Sequence, residues 1–386
     1  MQQWFPRKVR VQRTFDMDER ERVFPKNNMT GIISSFEGPV CPVPLTHSAS
    51  IVIGHGSGGR MTADLIKTVF QPALSNAALN EGNDFAQLPV PAFGTEGGRL
   101  VVSVDSHIVK PILFPGGDIG RLAICGTVND VAVSGARPLY ITAGFILEEG
   151  MTIKILKEIV QSMKQSADEA GVILVAGDTK VVEKGGADQI FITTTGVGWL
   201  DGPSTIGGQY AKPGDVVLVS GTLGDHGIAI ISARGELGFE ADIQSDVAPL
   251  NHMIEAMIKA APNIHVLRDP TRGGLATTLN EIAQQSDVGM YLNEDTIPIN
   301  SVTRSACEML GFDPLYMANE GKLIIIVPPG EADTILEVMR NFDYGKKAAR
   351  IGIVTLEDKG RVLLKNALGG TRLLDMMAGE MLPRIC

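Results

Sequence analysis

Short runs that are apolar throughout limit this chain's fold most. Leu100-Val101-Val102-Ser103-Val104, Val172-Ile173-Leu174-Val175, Val216-Val217-Leu218-Val219 and Leu323-Ile324-Ile325-Ile326-Val327 lack the alternation of a half-exposed strand. Each is also too short for a buried helix, so each reads as a strand, a buried one at 100–104. Such strands need helices over them. Residues 151–170 carry Ile155, Leu156, Ile159 and Met163 at helical spacing, and residues 248–260, 301–310 and 331–341 also read as helices. The strand–helix order runs over residues 50–205 and again over 210–365, which predicts an α/β or α+β fold. A single core does not extend over 386 residues, so two domains are expected.

Charge and cysteine usage exclude several classes. The net charge is −10 with no basic stripe, which argues against nucleic acid. A polyphosphate ligand would need a metal among so many carboxylates. Cys41, Cys125, Cys307 and Cys386 show no paired spacing, so neither a zinc site nor a disulfide framework is expected, and a reducing cytosol is the natural compartment. No apolar run reaches the length of a membrane span, and the N-terminal residues lack the apolar core of a signal peptide. Residues 1–28 mix charges without any period and read as disordered or as an upstream extension, with Met29 as the start.

Glycine loops and aspartates mark where ligands would sit. Gly54-His55-Gly56-Ser57-Gly58-Gly59 enters a helix with apolar Leu65, Ile66, Val69 and Phe70. Such a loop can cradle phosphate on free N–H groups, or can be a tight turn with His55 in a local hydrogen bond. Asp118 follows Gly116-Gly117 as the N-cap of a helix through Val131. That helix carries Asn129-Asp130, a pair costly to bury unless bound to something. Gly177-Asp178-Thr179-Lys180 reads as a turn closing a strand. Gly221 to Gly227 and Gly273-Gly274 open further helices. Asp105, Asp130, Asp178 and Asp269 each lie at an element end or beside glycines, where they are either caps or oxygen ligands for Mg²⁺. Together with the loops they suggest nucleotide phosphoryl transfer.

Cys386 closes the sequence. The stretch from Gly370 reads as a tether that, fully extended, spans roughly 50 Å at about 3.3 Å per residue. Its thiol either visits an active site or is the inert end of a frayed terminus.

The ordered motifs Gly54-His55-Gly56-Ser57-Gly58-Gly59, Asn129-Asp130-Val131-Ala132-Val133-Ser134-Gly135-Ala136, Gly177-Asp178-Thr179-Lys180-Val181, Arg268-Asp269-Pro270-Thr271-Arg272-Gly273-Gly274, Ala318-Asn319-Glu320-Gly321-Lys322 and Pro383-Arg384-Ile385-Cys386 resemble the HypE family of hydrogenase maturation factors. The resemblance covers residues 36–386. It implies a two-domain, PurM-like α/β (α+β) fold with mixed sheets, flanking helices and a flexible tail. Residues 1–35 would be a disordered extension, 36–205 the ATP-binding and dimerisation domain, 210–365 the second α/β domain, and 366–386 a mobile tail. It further implies a homodimer with ATP across the interface. The carbamoyltransferase HypF would load a carbamoyl group on Cys386. ATP-dependent dehydration would give a thiocyanate, and its cyanide would pass to iron on a HypC–HypD complex for nickel–iron hydrogenase.

On that resemblance, Asp105, Asp130, Asp178 and Asp269 would hold Mg²⁺-ATP, with Asn129, Thr179, Gly58 and Gly59 also at the nucleotide. Cys386 would be the acceptor, Glu320 the base, and Lys180 its electrostatic partner. His226 would touch phosphate or the tail, or be a satisfied loop histidine. Two rival readings remain: a small-molecule kinase or synthetase of the wider superfamily, and a non-catalytic thiol carrier.

Overall fold

The computed structural model describes residues 59–65, 67, 80, 82–83, 86–89, 97–202, 206–235, 242–366, 368–377 and 384–386, all within the unit Thr46–Cys386. Residues 1–28, Cys41 and most of the 54–59 loop therefore lie outside the described residues. Two mixed sheets form the frame. The first joins β1 (Ala86–Pro89), β2 (Arg99–His107), β5 (Arg137–Glu148), β6 (Ile173–Val182) and β7 (Ile190–Leu200) in the order β1-β2-β7-β5-β6. Only β5 and β6 run parallel in it. β3 (Leu113–Phe114) and β4 (Gly117–Asp118) make a separate small ribbon.

The second sheet joins β8 (Val216–Val219), β9 (Val266–Arg268), β10 (Gly289–Asn293), β11 (Ile324–Val327), β12 (Ala349–Thr355), β13 (Val362–Lys365) and β14 (Thr371–Leu373). Its order is β14-β13-β10-β12-β8-β11-β9. β8 and β11 are buried at every position, as their unbroken apolar sequences require.

After the six-residue α1 (Arg60–Leu65), the helix α2 (Ile119–Ala132) sits at the centre of the first half. Asp118 starts it, its Oδ1 accepting the N–H groups of Gly120 at 2.7 Å and Arg121 at 3.1 Å. Such a cap is worth about 1 kcal/mol. Nearly every residue of α2 is buried, because it lies between the first sheet and α3 (Ile153–Ala170). Gly196 and Gly198 on β7 allow this approach, since a Cβ there would stand 2.7 Å from Thr127 Cγ2 and 2.4 Å from Val131 Cγ1. Burying Ile119, Leu122 and Val128 in this layer stabilises by about 1.5–3 kcal/mol each.

The halves are joined through α2. Asn129 Nδ2 donates to the Ala248 carbonyl at 3.0 Å, and its Oδ1 accepts the Leu250 N–H at 2.8 Å. The second half continues through α4 (Asp225–Arg234), α5 (Asn251–Ala260), α6 (Gly274–Ser286), α7 (Ser301–Leu310) and α8 (Ala332–Arg340).

Gly177-Asp178-Thr179-Lys180 differs from its expected turn. It is not a turn but the middle of β6, paired in parallel with Ala143 to Ile146 of β5. A full ladder of main-chain bonds outweighs the local turn preference of Gly and Asp.

Candidate active site

Alternation along β2 turns Val101, Ser103, Asp105 and His107 toward α2. Ser103 Oγ donates to Asp130 Oδ2 at 2.8 Å, so the carboxylate of Asp130 is half-buried and bonded to a hydroxyl. Asp105 Oδ1 accepts the Ser106 N–H at 2.7 Å, and His107 Nε2 lies 3.7 Å from its other oxygen. Burial alone would lift the Asp105 carboxyl; His107, Arg272 and the Ser106 N–H outweigh it and hold it below the usual range. Burial pushes His107 down despite Asp105, so His107 is neutral near pH 7 and Arg272 is the fixed cation beside Asp105.

The second half brings Glu320 to the same place. The side chain of Asn319 fixes this loop: its Oδ1 accepts from Gly224 N–H at 2.8 Å, and its Nδ2 donates to the carbonyls of Pro270 at 2.8 Å and Met317 at 3.0 Å. Glu320 is 4% exposed, and its N–H donates to Asp246 Oδ1 at 2.9 Å. Among the described residues its Oε1 has no hydrogen-bond partner. Burial first, then the charges of Asp105, Asp246 and Asp269, push its carboxyl well above the usual range, against the opposing pull of Arg272.

Cys386 completes the cluster. It is half-buried, and its thiol faces Glu320. Burial, then Glu320 and Asp105, raise the thiol far above its ordinary value, with Arg272 opposing. Arg272, exposed over much of its own surface, faces Cys386 first and then Asp105, Glu320 and Asp130, all of which favour its charged form. One cation thus meets four acidic or thiol groups drawn from both halves and the tail.

The tail is seated in this structure. Leu374 is buried and donates its N–H to the Val362 carbonyl at 2.8 Å. Gly59 is buried against the segment 371–377, and the Arg60 N–H donates to the Met377 carbonyl at 2.8 Å. A Cβ on Gly59 would stand 2.4 Å from the Met377 oxygen, so only glycine fits. Ile385 is 6% exposed. His226, fully buried, has both ring nitrogens engaged, Nε2 with the Ile385 carbonyl at 2.7 Å and Nδ1 with Ser245 Oγ at 2.8 Å. His226 lies in α4 and not in a loop, and its contact is with the tail. Burial depresses its pKa, so it is neutral.

The other expected residues are placed differently. Asp105, Asp130, Asp269, Glu320 and Cys386 converge. Asp178 and Lys180 do not join them within one chain. They pair with each other at 2.7 Å, about 70% exposed (71% and 69%). Asp178 aligns with Gly144, Thr193 and Ser106 across the sheet, hence on the face opposite Asp105. Within one chain the cation beside Glu320 is Arg272. The amide of Asn129 is spent on joining the halves. The loop with Gly58 lies outside the described residues. Among the described residues no three of His, Cys, Asp or Glu converge as a ready metal cage.

Sequence reasoning left Arg272, His107, Asp246 and Lys322 without roles. Three of them had a signal, Lys322 by closing the motif that begins at Ala318. Arg272 stands in a motif already singled out, and His107 follows Asp105 by two on one strand face.

The model for the AIR synthase related protein, N-terminal domain, matches residues 82–200, and that for the C-terminal domain matches residues 212–365. Carbamoyl dehydratase HypE of Cupriavidus necator is 51% identical over 339 residues, covering 88% of this chain and 95% of the relative. A solved hydrogenase maturation protein HypE in complex with ATP is 48% identical, with TM-score 0.71, covering 87% of this chain and all of that one (100%). A HypE–HypF complex structure contains a chain 48% identical with TM-score 0.75, covering 81% of this chain and 99% of that one.

Proposed function

The chain belongs to the HypE family of carbamoyl dehydratases, and on that premise we propose that it uses ATP to dehydrate a carbamoyl group carried on its own Cys386. The product is an S-cyanate, the cyanide source for the iron of nickel–iron hydrogenase. The observation that carries this reading is the seat of Cys386 against Glu320, Arg272 and Asp105.

A thiocarbamate becomes a thiocyanate by losing its oxygen and both amide protons. The balanced reaction takes thiocarbamate and ATP to thiocyanate, ADP, phosphate and one proton. ATP with Mg²⁺ supplies the phosphoryl group that turns the amide oxygen into a leaving group. Glu320 removes an amide proton, and its raised pKa brings the carboxyl toward the working pH, where a general base is most effective. Arg272 places a positive charge beside Cys386, Asp105 and Glu320. His226 binds the Ile385 carbonyl and so keeps the reacting group at the base.

The residues present fit a hard cation. Asp105, Asp130 and Asp269 offer oxygen donors around Arg272 and Glu320, which leaves the Glu320 carboxyl to act as the base. Mg²⁺ keeps waters and is bound through one or two carboxylates and substrate phosphates. Thr179 and the 58–59 glycines would contact the nucleotide.

A homodimer would bring Asp178 and Lys180 to the site. Their face of the first sheet exposes Val104 at 65%, Ile173 at 61%, Tyr140 at 45% and Ile146 at 41%, an apolar surface of the kind that pairs with another chain. HypF is the proposed carbamoyl donor, supported by the solved HypE–HypF complex, and HypC–HypD the proposed acceptor. Cys125, Cys307 and Cys386 are free, in keeping with a reducing cytoplasm. Among the described residues no helix is long and apolar enough to cross a membrane.

The test is single-turnover incubation of the carbamoylated protein with ATP and Mg²⁺, following phosphate release and the mass of the tail peptide. One phosphate per converted tail is expected. Phosphate release with an unchanged tail mass is plain ATP hydrolysis and overturns the dehydratase reading, and neither change points to a passive carrier.

A further inference from the structure

The hydrogen bonds that seat the last three residues leave the thiol's chemistry to the site and fall on what precedes it. Arg384 Nη1 lies 2.5 Å from Asp188 Oδ2. The Arg384 carbonyl accepts from the Lys110 N–H at 3.1 Å and from Arg234 Nη2 at 2.5 Å. Arg234 Nε donates in turn to the Lys110 carbonyl at 2.7 Å, which fixes the guanidinium from both sides. The next carbonyl, that of Ile385, accepts from His226 Nε2 at 2.7 Å. Since a carbonyl only accepts, the ring proton must be on Nε2. Nδ1 then accepts from Ser245 Oγ, whose own lone pair takes the Val247 N–H at 3.2 Å. The Ile385 side chain is buried in the cluster containing Val109, Ile112 and Phe114, and the Phe114 ring stands edge-on to His226 at 5.7 Å. Arg384 itself has φ 57°, a left-handed conformation that a non-glycine residue holds only where its surroundings impose it.

Two consecutive carbonyls, one guanidinium and one aliphatic side chain are therefore recognised in fixed register. The residues doing so come from four separate places: the segment before α2, the loop before β7, α4, and the loop holding Ser245. We infer that Asp188, Arg234 and His226 form a clamp that reads Arg384-Ile385 as an address and thereby sets the position of Cys386 at Glu320. These are positioning residues for the reaction proposed above, and the inference rests on that reading. The clamp selects an arginine two places and an aliphatic residue one place before the reacting thiol, whatever group the sulfur carries.

The experiment uses the full chain, carbamoylated by its partner enzyme, in single turnover with ATP and Mg²⁺. Asp188→Ala and His226→Gln are expected to take up the carbamoyl group to the wild-type extent and to convert it about 10- to 100-fold more slowly, the scale of a reacting group misplaced by about an ångström. Arg384→Asp should be slow alone, and Arg384→Asp combined with Asp188→Arg should recover most of the rate. A merely structural Asp188 gives no such recovery. Wild-type rates in Asp188→Ala and His226→Gln, or no recovery in the swapped pair, overturn the clamp. A second readout needs no turnover: maleimide labelling of Cys386 should be several-fold faster in Asp188→Ala and return to the wild-type rate in the swap. If the wild-type protein makes no thiocyanate, the dehydratase reading falls while labelling still decides the clamp.

Discussion

Lys322 Nζ lies 3.0 Å from Asp246 Oδ2, and both side chains are under a tenth exposed, at 8% and 4%. The pair supports the proposed base from beneath, because Asp246 Oδ1 accepts the Glu320 N–H. Removing only the lysine strands a buried carboxylate, which costs about 3–5 kcal/mol. Lys322→Met should therefore lose about that much stability in urea unfolding, and adding Asp246→Asn should return most of it. A Lys322→Met protein as stable as wild type would show that the pair is solvated.

Glu320 links stability and activity to pH in opposite senses. Its folded pKa is raised above the unfolded value, so the folded carboxyl keeps a proton that the unfolded one has lost. Its contribution to stability is full at low pH and is lost as pH rises from the ordinary carboxylate range through the raised folded value. A base acts only when ionised, so dehydration should accelerate over that same window. Rates and unfolding free energies measured across pH check both halves. Glu320→Gln should abolish conversion and flatten the stability change. A conversion rate that stays level from the ordinary carboxylate range upward would remove Glu320 as the base.

Asn129 is expected to matter for folding before it matters for nucleotide. Asn129→Ala leaves the Ala248 carbonyl and the Leu250 N–H without their partner between the halves. A buried polar group left unsatisfied costs about 1–3 kcal/mol, so the melting temperature should fall by several degrees. A variant with unchanged melting but weakened ATP binding would instead assign the amide to the ligand.

What could be read from the sequence was whatever depended on local pattern. The apolar runs at 216–219 and 323–327 became buried strands because nothing in them tolerates water, and Asp118 capped its helix because a carboxylate after a glycine turn has N–H groups within reach. Gly177-Asp178-Thr179-Lys180 misled for the complementary reason: its residues favour a turn, and the ladder to β5 that overrides them is set by a strand more than thirty residues earlier. Gly289–Asn293 mixes glycine, methionine, tyrosine and asparagine, and only its neighbours in the sheet make it a strand. At the site, Glu320 and Cys386 stood out by motif. Asp246 and Asp188 lie in loops without period, and their roles exist only where Lys322 and Arg384 meet them in space.

Lys180 gives the most demanding prediction, because one chain alone does not bring it to Glu320. It pairs with Asp178 on the outward face of the first sheet, beside the exposed Tyr140 and Ile146. If a second copy covers that face, each site takes its base and thiol from one chain and its Asp178–Lys180 pair from the other. Lys180→Ala should then fold, accept the carbamoyl group and stall, with a loss of about 3–4 kcal/mol in transition-state stabilisation if the ammonium acts as a single oxyanion donor. Cys386→Ala should bind nucleotide and carry no modification. Neither homodimer turns over, yet mixed dimers hold one site with an intact Lys180, supplied by the Cys386→Ala chain, and an intact Cys386 from the Lys180→Ala chain. Co-refolding the two variants should therefore restore thiocyanate formation to a fraction of the wild-type rate, read as the mass of the tail peptide. If the mixture stays inactive while sedimentation shows mixed dimers, Lys180 serves its own chain or none. If Lys180→Ala alone converts at the wild-type rate, an exposed pair of this kind is worth only about 0–1 kcal/mol, and Arg272 is the cation that the reaction needs.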